Sequence, residues 1–259
     1  MKKSYRYNLA IAIFGILVCL LILPTNAAAL NIHLFYNTSF VDTGTEGANF
    51  MSTINSLGHT VTTFTEYNDA AFLTAIASSD LIAFPEMEMG NLYSSLATST
   101  QTILADYVFG GGSILQANTY PANENLPNGL FGWSLTTIST TIGPTYLQPE
   151  AAGTSFAGGP ASLPGLLAVQ GITLSSLPGS AVSMYDDDID TAVFCASYGS
   201  GKYAYLGYDW LSGVNSDWTI VTGNDINCLA PVPEPATMLL LGSGLFVLAG
   251  LGRRKFMKR

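Results

Sequence analysis
Glu86 and Glu88 stand just after the apolar run Leu81-Ile82-Ala83-Phe84. Paired acids at the end of a strand can work as general acid and base, or they can make a solvated acidic loop. Asn37 and Asn118 follow two other apolar runs, and Asp209 follows a fourth. Together with Glu86 and Glu88 they outline one candidate ligand crevice, although Asn is also a common turn residue. Trp210, beside Asp209, is placed either to stack on a sugar or to pack as core. The densest charge is Asp186-Asp187-Asp188-Ile189-Asp190. There Asp186, Asp188 and Asp190 can ligate Ca²⁺ through oxygen or form an acidic turn; the stretch lacks the glycine and closing Glu of an EF-hand loop. Calcium is the only cofactor the sequence suggests. No Cys/His cluster supports zinc. The two histidines, His33 and His59, open strands, away from the carboxyl ends where open α/β sheets hold ligands. A Ser-His-Asp triad therefore lacks its base, and no residue is assigned a catalytic role.

The elements that must position these groups alternate. Ile32 to Tyr36 is a short apolar strand, and Glu46 to Leu57 has helical spacing, with Phe50, Ile54 and Leu57 on one face and Gly58 closing it. Val61 to Phe64 is the second strand. Asn68 caps a helix over Asp69 to Ala77. Leu81 to Phe84 is the third strand, Thr100 to Phe109 the third helix, and Ser113 to Leu115 the fourth strand. Strands alternating with helices of this length imply crossovers and a mostly parallel sheet. Residues 119 to 180, rich in Gly, Pro, Thr and Ser, read as an irregular excursion with small strands. Ala192 to Ala196 and Tyr203 to Tyr208 then form a late hairpin around Ser200-Gly201, and Trp218 to Leu229 is a closing helix.

Charge and hydropathy at the two ends of the 259-residue chain are of another kind. Lys2, Lys3 and Arg6 precede the apolar run Leu9 to Leu23, Pro24 breaks it, and Ala27-Ala28-Ala29 offers a small-residue cleavage site. Residues 1–29 thus read as a signal peptide for a Sec-type export machinery. At the other end Ala236 to Gly252 is uncharged, at the short limit for a transmembrane helix, and a basic cluster follows it. By the positive-inside rule those bases stay cytoplasmic, so the domain between, residues 30–230, lies outside. That domain has Lys202 as its one basic residue against seventeen acids, about −16 in all, which argues against a nucleic-acid partner. Cys195 and Cys228 are its only cysteines. In an exported chain they are either a disulfide, closing a loop of roughly 30 residues and adding about 3 kcal/mol, or two buried free thiols.

Residues 231–259 resemble the PEP-CTERM sorting signal. Pro233-Glu234-Pro235, the apolar helix from Met238 to Gly252 and the basic Arg253-Arg254-Lys255 stand in the family's order. The resemblance implies an exosortase partner that processes the chain near Pro-Glu-Pro. It also implies passage through the inner membrane of a Gram-negative bacterium to the periplasm, outer surface or exopolysaccharide matrix, with polysaccharide as a partner.

The domain itself resembles class I glutamine amidotransferase-like domains, which implies a three-layer flavodoxin-like α/β fold. The resemblance rests on Leu57-Gly58-His59-Thr60-Val61, Asp80 to Phe84, Tyr107 to Gly112, and Tyr198-Gly199-Ser200-Gly201-Lys202 followed by Tyr205 to Asp209. Active relatives carry a nucleophilic Cys on the turn after the fourth strand. Here that turn reads Leu115-Gln116-Ala117-Asn118, without one. The expectation is therefore an exported, non-catalytic binding or structural module. Its rivals are an extracellular hydrolase using Glu86, Glu88 or Asp209, and a Ca²⁺-stabilised adhesive module.

Overall fold
A computed structural model describes residues 29–117, 123–138, 141–165 and 169–230. The expected signal peptide (up to residue 28), the expected transmembrane helix, the Pro-Glu-Pro motif with its basic tail, and Asn118 lie outside them. Among the described residues no helix is long and apolar enough to cross a membrane.

The first half follows the sequence pattern closely. β1 (Asn31–Phe35), α1 (Glu46–Ser56), β2 (Thr60–Phe64), α2 (Asp69–Ser78) and β3 (Leu81–Phe84) alternate, followed by the short α3 (Leu92–Ser95), α4 (Thr98–Phe109) and β4 (Ser113–Ala117). Gly58, at φ 88°, ends the first helical unit in a conformation that favours glycine. Asn68 caps α2 by accepting from the Ala71 N–H at 3.1 Å. The excursion then holds α5 (Asn125–Phe131), β5 (Thr145–Leu147), β6 (Ser162–Leu163) and β7 (Ile172–Thr173). β8 (Ala181–Asp186), β9 (Asp190–Tyr198), β10 (Gly201–Leu206) and α6 (Ser216–Leu229) complete the domain.

The sheet is mixed, which corrects the expectation of a mostly parallel one. Its order is β2-β1-β3-β4-β10-β9-β8-β5-β6, with β7 on β9. β2, β1, β3, β4 and β10 run parallel, and every pairing beyond β10 is antiparallel. The physical reason is connection length. Only Gly199-Ser200 separates β9 from β10, and Asp187 to Ile189 separate β8 from β9. Links that short can close hairpins but not parallel crossovers.

Helices cover both faces of the parallel half. Ile32, Leu34, Leu81, Ala83, Ala204 and Leu206 join one core with Phe50 and Ile54 of α1 and Trp218 and Val221 of α6. The alternate strand residues Phe35, Ile82, Phe84, Ile114, Tyr203 and Tyr205 join a second core with Phe72 of α2 and with Leu104 and Val108 of α4. Each strand thus feeds two cores, as the continuous apolar runs require.

Candidate functional site
The strand order reverses between β1 and β3, because β2 lies on one side of β1 and β3 on the other. Such a switch point opens a crevice beyond the strand carboxyl ends. Three exits lead into it. After β1, Asn37 makes a turn: its Oδ1 accepts from the Ser39 N–H at 2.7 Å, and its Nδ2 donates to the Thr65 carbonyl at 2.7 Å. Its amide is thus spent bracing two loops. Asp42 Oδ1 then accepts the N–H groups of Gly44 at 2.8 Å and Thr45 at 3.3 Å, and Thr45 Oγ1 donates to the same carboxylate. These bonds hold the Asp42 carboxyl below its usual range. Glu46 is the first residue of α1.

After β3 the chain runs through Pro85 to Glu86 and Glu88. After β10 it reaches Asp209, whose Oδ1 accepts from the Leu211 N–H at 2.6 Å. Trp210 is fully buried, 4.8 Å from the Tyr208 ring and 5.4 Å from Phe50. It is a core residue, and the sugar-stacking alternative does not hold for it. Asn49 Nδ2 of α1 donates to the Trp210 carbonyl at 2.9 Å, which ties the helix start to the β10 exit.

These exits bring carboxylates together. One ligand oxygen each from Glu46, Glu86 and Asp209 lie within 4.8 Å of one another, and the same is true of Asp42, Glu46 and Glu88. Glu46 belongs to both sets. Glu46, Glu86 and Asp209 are only 2%, 3% and 7% exposed. Glu86 shares side-chain hydrogen bonds with both Glu46 and Asp209. A hydrogen bond between two carboxyl groups requires a proton on one of them. Glu46 Oε2 is buried and has no hydrogen-bond partner. Burial, followed by the charges of Asp209 and Glu88, pushes Glu46 up to about 7. Burial also raises Glu88 and Asp209. Lys202, the one Lys or Arg among the described residues, is occupied elsewhere, donating to the Cys228 carbonyl at 2.6 Å.

The fold therefore unites Glu86, Glu88 and Asp209 of the expected crevice, and leaves Asn37 as loop bracing. Sequence reasoning missed Asp42 and Glu46. Their signal was available, since both follow β1 on the exit that borders the switch point.

Asp186, Asp188 and Asp190 do not converge into a comparable set among the described residues. They build the β8–β9 turn. Asp186 accepts from Ser183 Oγ at 2.5 Å and from the Asp188 N–H at 3.2 Å, and Asp188 sits at φ 74°. Asp187 accepts the N–H of Asp190 at 2.9 Å. The carboxylates of Asp186 and Asp187 are spent on shaping the turn.

Cys195 of β9, buried, and Cys228 of α6, half-buried, are free thiols close enough to share a hydrogen bond. Cys195 donates to Asp225 Oδ1 at 3.7 Å. His33 lies inside β1 and His59 just before β2, neither in the carboxylate sets.

Residues 231–255 match the model of the PEP-CTERM protein-sorting motif. The chain carries an exosortase sorting signal. That signal marks it for export and for membrane-anchored sorting. No curated protein matches the chain. Among solved structures, the Cytoplasmic Protein STM1381 from Salmonella typhimurium LT2 has a TM-score of 0.54 at 13% identity, covering 78% of this chain and 99% of that one. The Cytoplasmic Protein STM3548 from Salmonella typhimurium has a TM-score of 0.55 at 12% identity, covering 78% and 100%. At that identity the likeness concerns the fold alone. A glutamine amidotransferase from Thermotoga maritima aligns more weakly, at TM-score 0.45 and 11% identity over 70% of this chain and 75% of that one.

Proposed function
We propose that the sorted chain displays residues 30–230 as a non-catalytic binding or structural module at the cell surface or in the exopolysaccharide matrix. In this reading residues 1–29 are a signal peptide for Sec-type export, and residues 231–259 hold a transmembrane helix that anchors the chain until an exosortase processes it. The module is an amidotransferase-like, flavodoxin-like domain that has lost the nucleophilic Cys and its His. One observation carries the reading. Glu46, Glu86 and Asp209 at the switch point, where a catalytic site would form, are buried against one another, so a glycan or peptide does not reach them. The acid excess keeps the displayed module soluble among acidic polymers.

Two measurements test this. Expressed in a host with an exosortase, the Pro233→Ala/Pro235→Ala chain should accumulate unprocessed in the inner membrane, while the native chain leaves it. Equal distribution of both chains would refute sorting through this motif. On a panel of glycoside, ester and glutamine substrates, the purified chain should show no turnover above that of Glu46→Gln.

One observation favours the hydrolase reading instead. Asp42 is held low while Glu46 is pushed up to about 7, and carboxyls driven apart in this way are suited to base and acid roles. Turnover that disappears in Glu46→Gln would establish that reading.

A further inference from the structure
We propose that Glu46, Glu86 and Asp209 form a binding site for a hard divalent cation, Ca²⁺ above all, that locks the β1, β3 and β10 exits together. The first support is geometric. Three carboxylate oxygens within 4.8 Å of one another fit around one Ca²⁺, whose ligands stand at about 2.3–2.6 Å and so up to about 5 Å apart. The second is Glu46 Oε2. It is a fully buried oxygen of a 2% exposed side chain and has no hydrogen-bond partner. An orphan acceptor of this kind costs on the order of 1–3 kcal/mol, and a bound cation removes the cost. The third is the charge inventory. Lys202, the one Lys or Arg among the described residues, is bonded to the Cys228 carbonyl, so no Lys or Arg among the described residues pairs with these acids.

The donor set selects the ion. All the ligands are carboxylate oxygens, which suit Ca²⁺ or Mg²⁺ rather than a soft metal. Mg²⁺ keeps several of its waters and demands near-octahedral order, whereas side chains exposed by 2%, 3% and 7% leave little room for a hydrated ion. Ca²⁺ accepts irregular carboxylate shells. Asp42 and Glu88 lie on the outer side of Glu46 and supply further negative charge without needing to touch the ion. Only ionised carboxylates ligate, so binding releases to solvent any proton they carry.

The inference deepens the module reading and rests on it, yet the two fail separately. Turnover on the substrate panel overturns the module, whereas an absent cation response overturns the site. The test uses the full chain, purified from membranes in detergent and stripped with chelator. Thermal unfolding is followed against added Ca²⁺, then Mg²⁺. Tb³⁺ emission excited through Trp210, the neighbour of Asp209, gives a direct readout. Ca²⁺ should raise the midpoint by several degrees in a saturable manner and displace Tb³⁺. Glu46→Gln should weaken the Ca²⁺ response at least tenfold, and Glu86→Gln should do the same if the first variant does not fold. Asp186→Asn should leave it unchanged. Lack of any shift up to about 10 mM, above the roughly 1 mM limit of extracellular Ca²⁺ modules, overturns the proposal. So does a shift that survives both glutamine variants or disappears in Asp186→Asn.

Discussion

Asn49 and Trp210, 161 positions apart, are joined by a 2.9 Å hydrogen bond from Asn49 Nδ2 to the Trp210 carbonyl. Asn49 lies one helical turn after Glu46, and Trp210 directly follows Asp209. This bond sets the distance between two carboxylates that come from opposite ends of the domain. Asn49→Ala should therefore lower stability by about 1 kcal/mol, read from the denaturant midpoint. It should also weaken Ca²⁺ binding, although Asn49 is not itself a ligand. A loss of stability with an unchanged Ca²⁺ response would show that the cluster holds its own geometry.

The thiol pair divides its titration unevenly. Hydrogen bonding with Cys195 and the positive charge of Lys202 bring Cys228 down to about 7, while Cys195 is raised well above the ordinary thiol range. The iodoacetamide reaction rate of Cys228 should rise through about pH 7 rather than near 9. Cys195 should stay unmodified until the domain unfolds. Lys202→Met should move the Cys228 profile to higher pH. A profile centred at the usual thiol value would mean that neither Cys195 nor Lys202 stabilises the Cys228 thiolate.

Asp225 is fully buried, and burial first, then Cys228, raises its carboxyl well above the ordinary range. The groups facing it are Cys195, Cys228 and Tyr185. A folded-state acid with a raised pKa binds its proton more tightly than the unfolded chain does. Its contribution is therefore full at low pH and declines as pH rises above the unfolded carboxylate range. Asp225→Asn should flatten that decline, so the variant gains on the native chain between about pH 5 and 8. Parallel stability curves over this window would contradict it.

Gly201 opens β10 where the backbone passes the end of α4 and the entry to β4. A Cβ there would stand 2.0 Å from the Val108 carbonyl oxygen and 2.2 Å from that of Gly112. Gly201→Ala must push α4 away from the sheet, at a cost of roughly 1–3 kcal/mol. Thermal unfolding checks it, and an unchanged midpoint would mean that α4 shifts freely.

Much of the fold was written in local pattern. The 3.6-residue spacing of Phe50 and Ile54, the glycine stop at Gly58 and the cap at Asn68 each act over a few residues, and each appears where the sequence places it. The antiparallel half of the sheet was less legible. β5, β6 and β7 are two or three residues long, too short to carry a period, and their pairing depends on distant partners.

The sequence by itself carried the sorting motif and the alternating elements. A charge cluster beside an apolar run, or a Pro-Glu-Pro before one, acts through contiguous residues and needs no fold to be read. It also determined that the domain is rich in acids and almost without bases. Only the tertiary structure decided which acids meet. Asp186, Asp188 and Asp190, close in the chain, are placed in a turn in which the backbone N–H groups of Asp188 and Asp190 bond to the carboxylates of Asp186 and Asp187. Glu46, Glu86 and Asp209 share no local pattern, yet parallel strands direct their exits to one side of the sheet. Burial there removes the water that would otherwise screen their repulsion, so their protonation and any cation they hold are properties of the fold rather than of any segment.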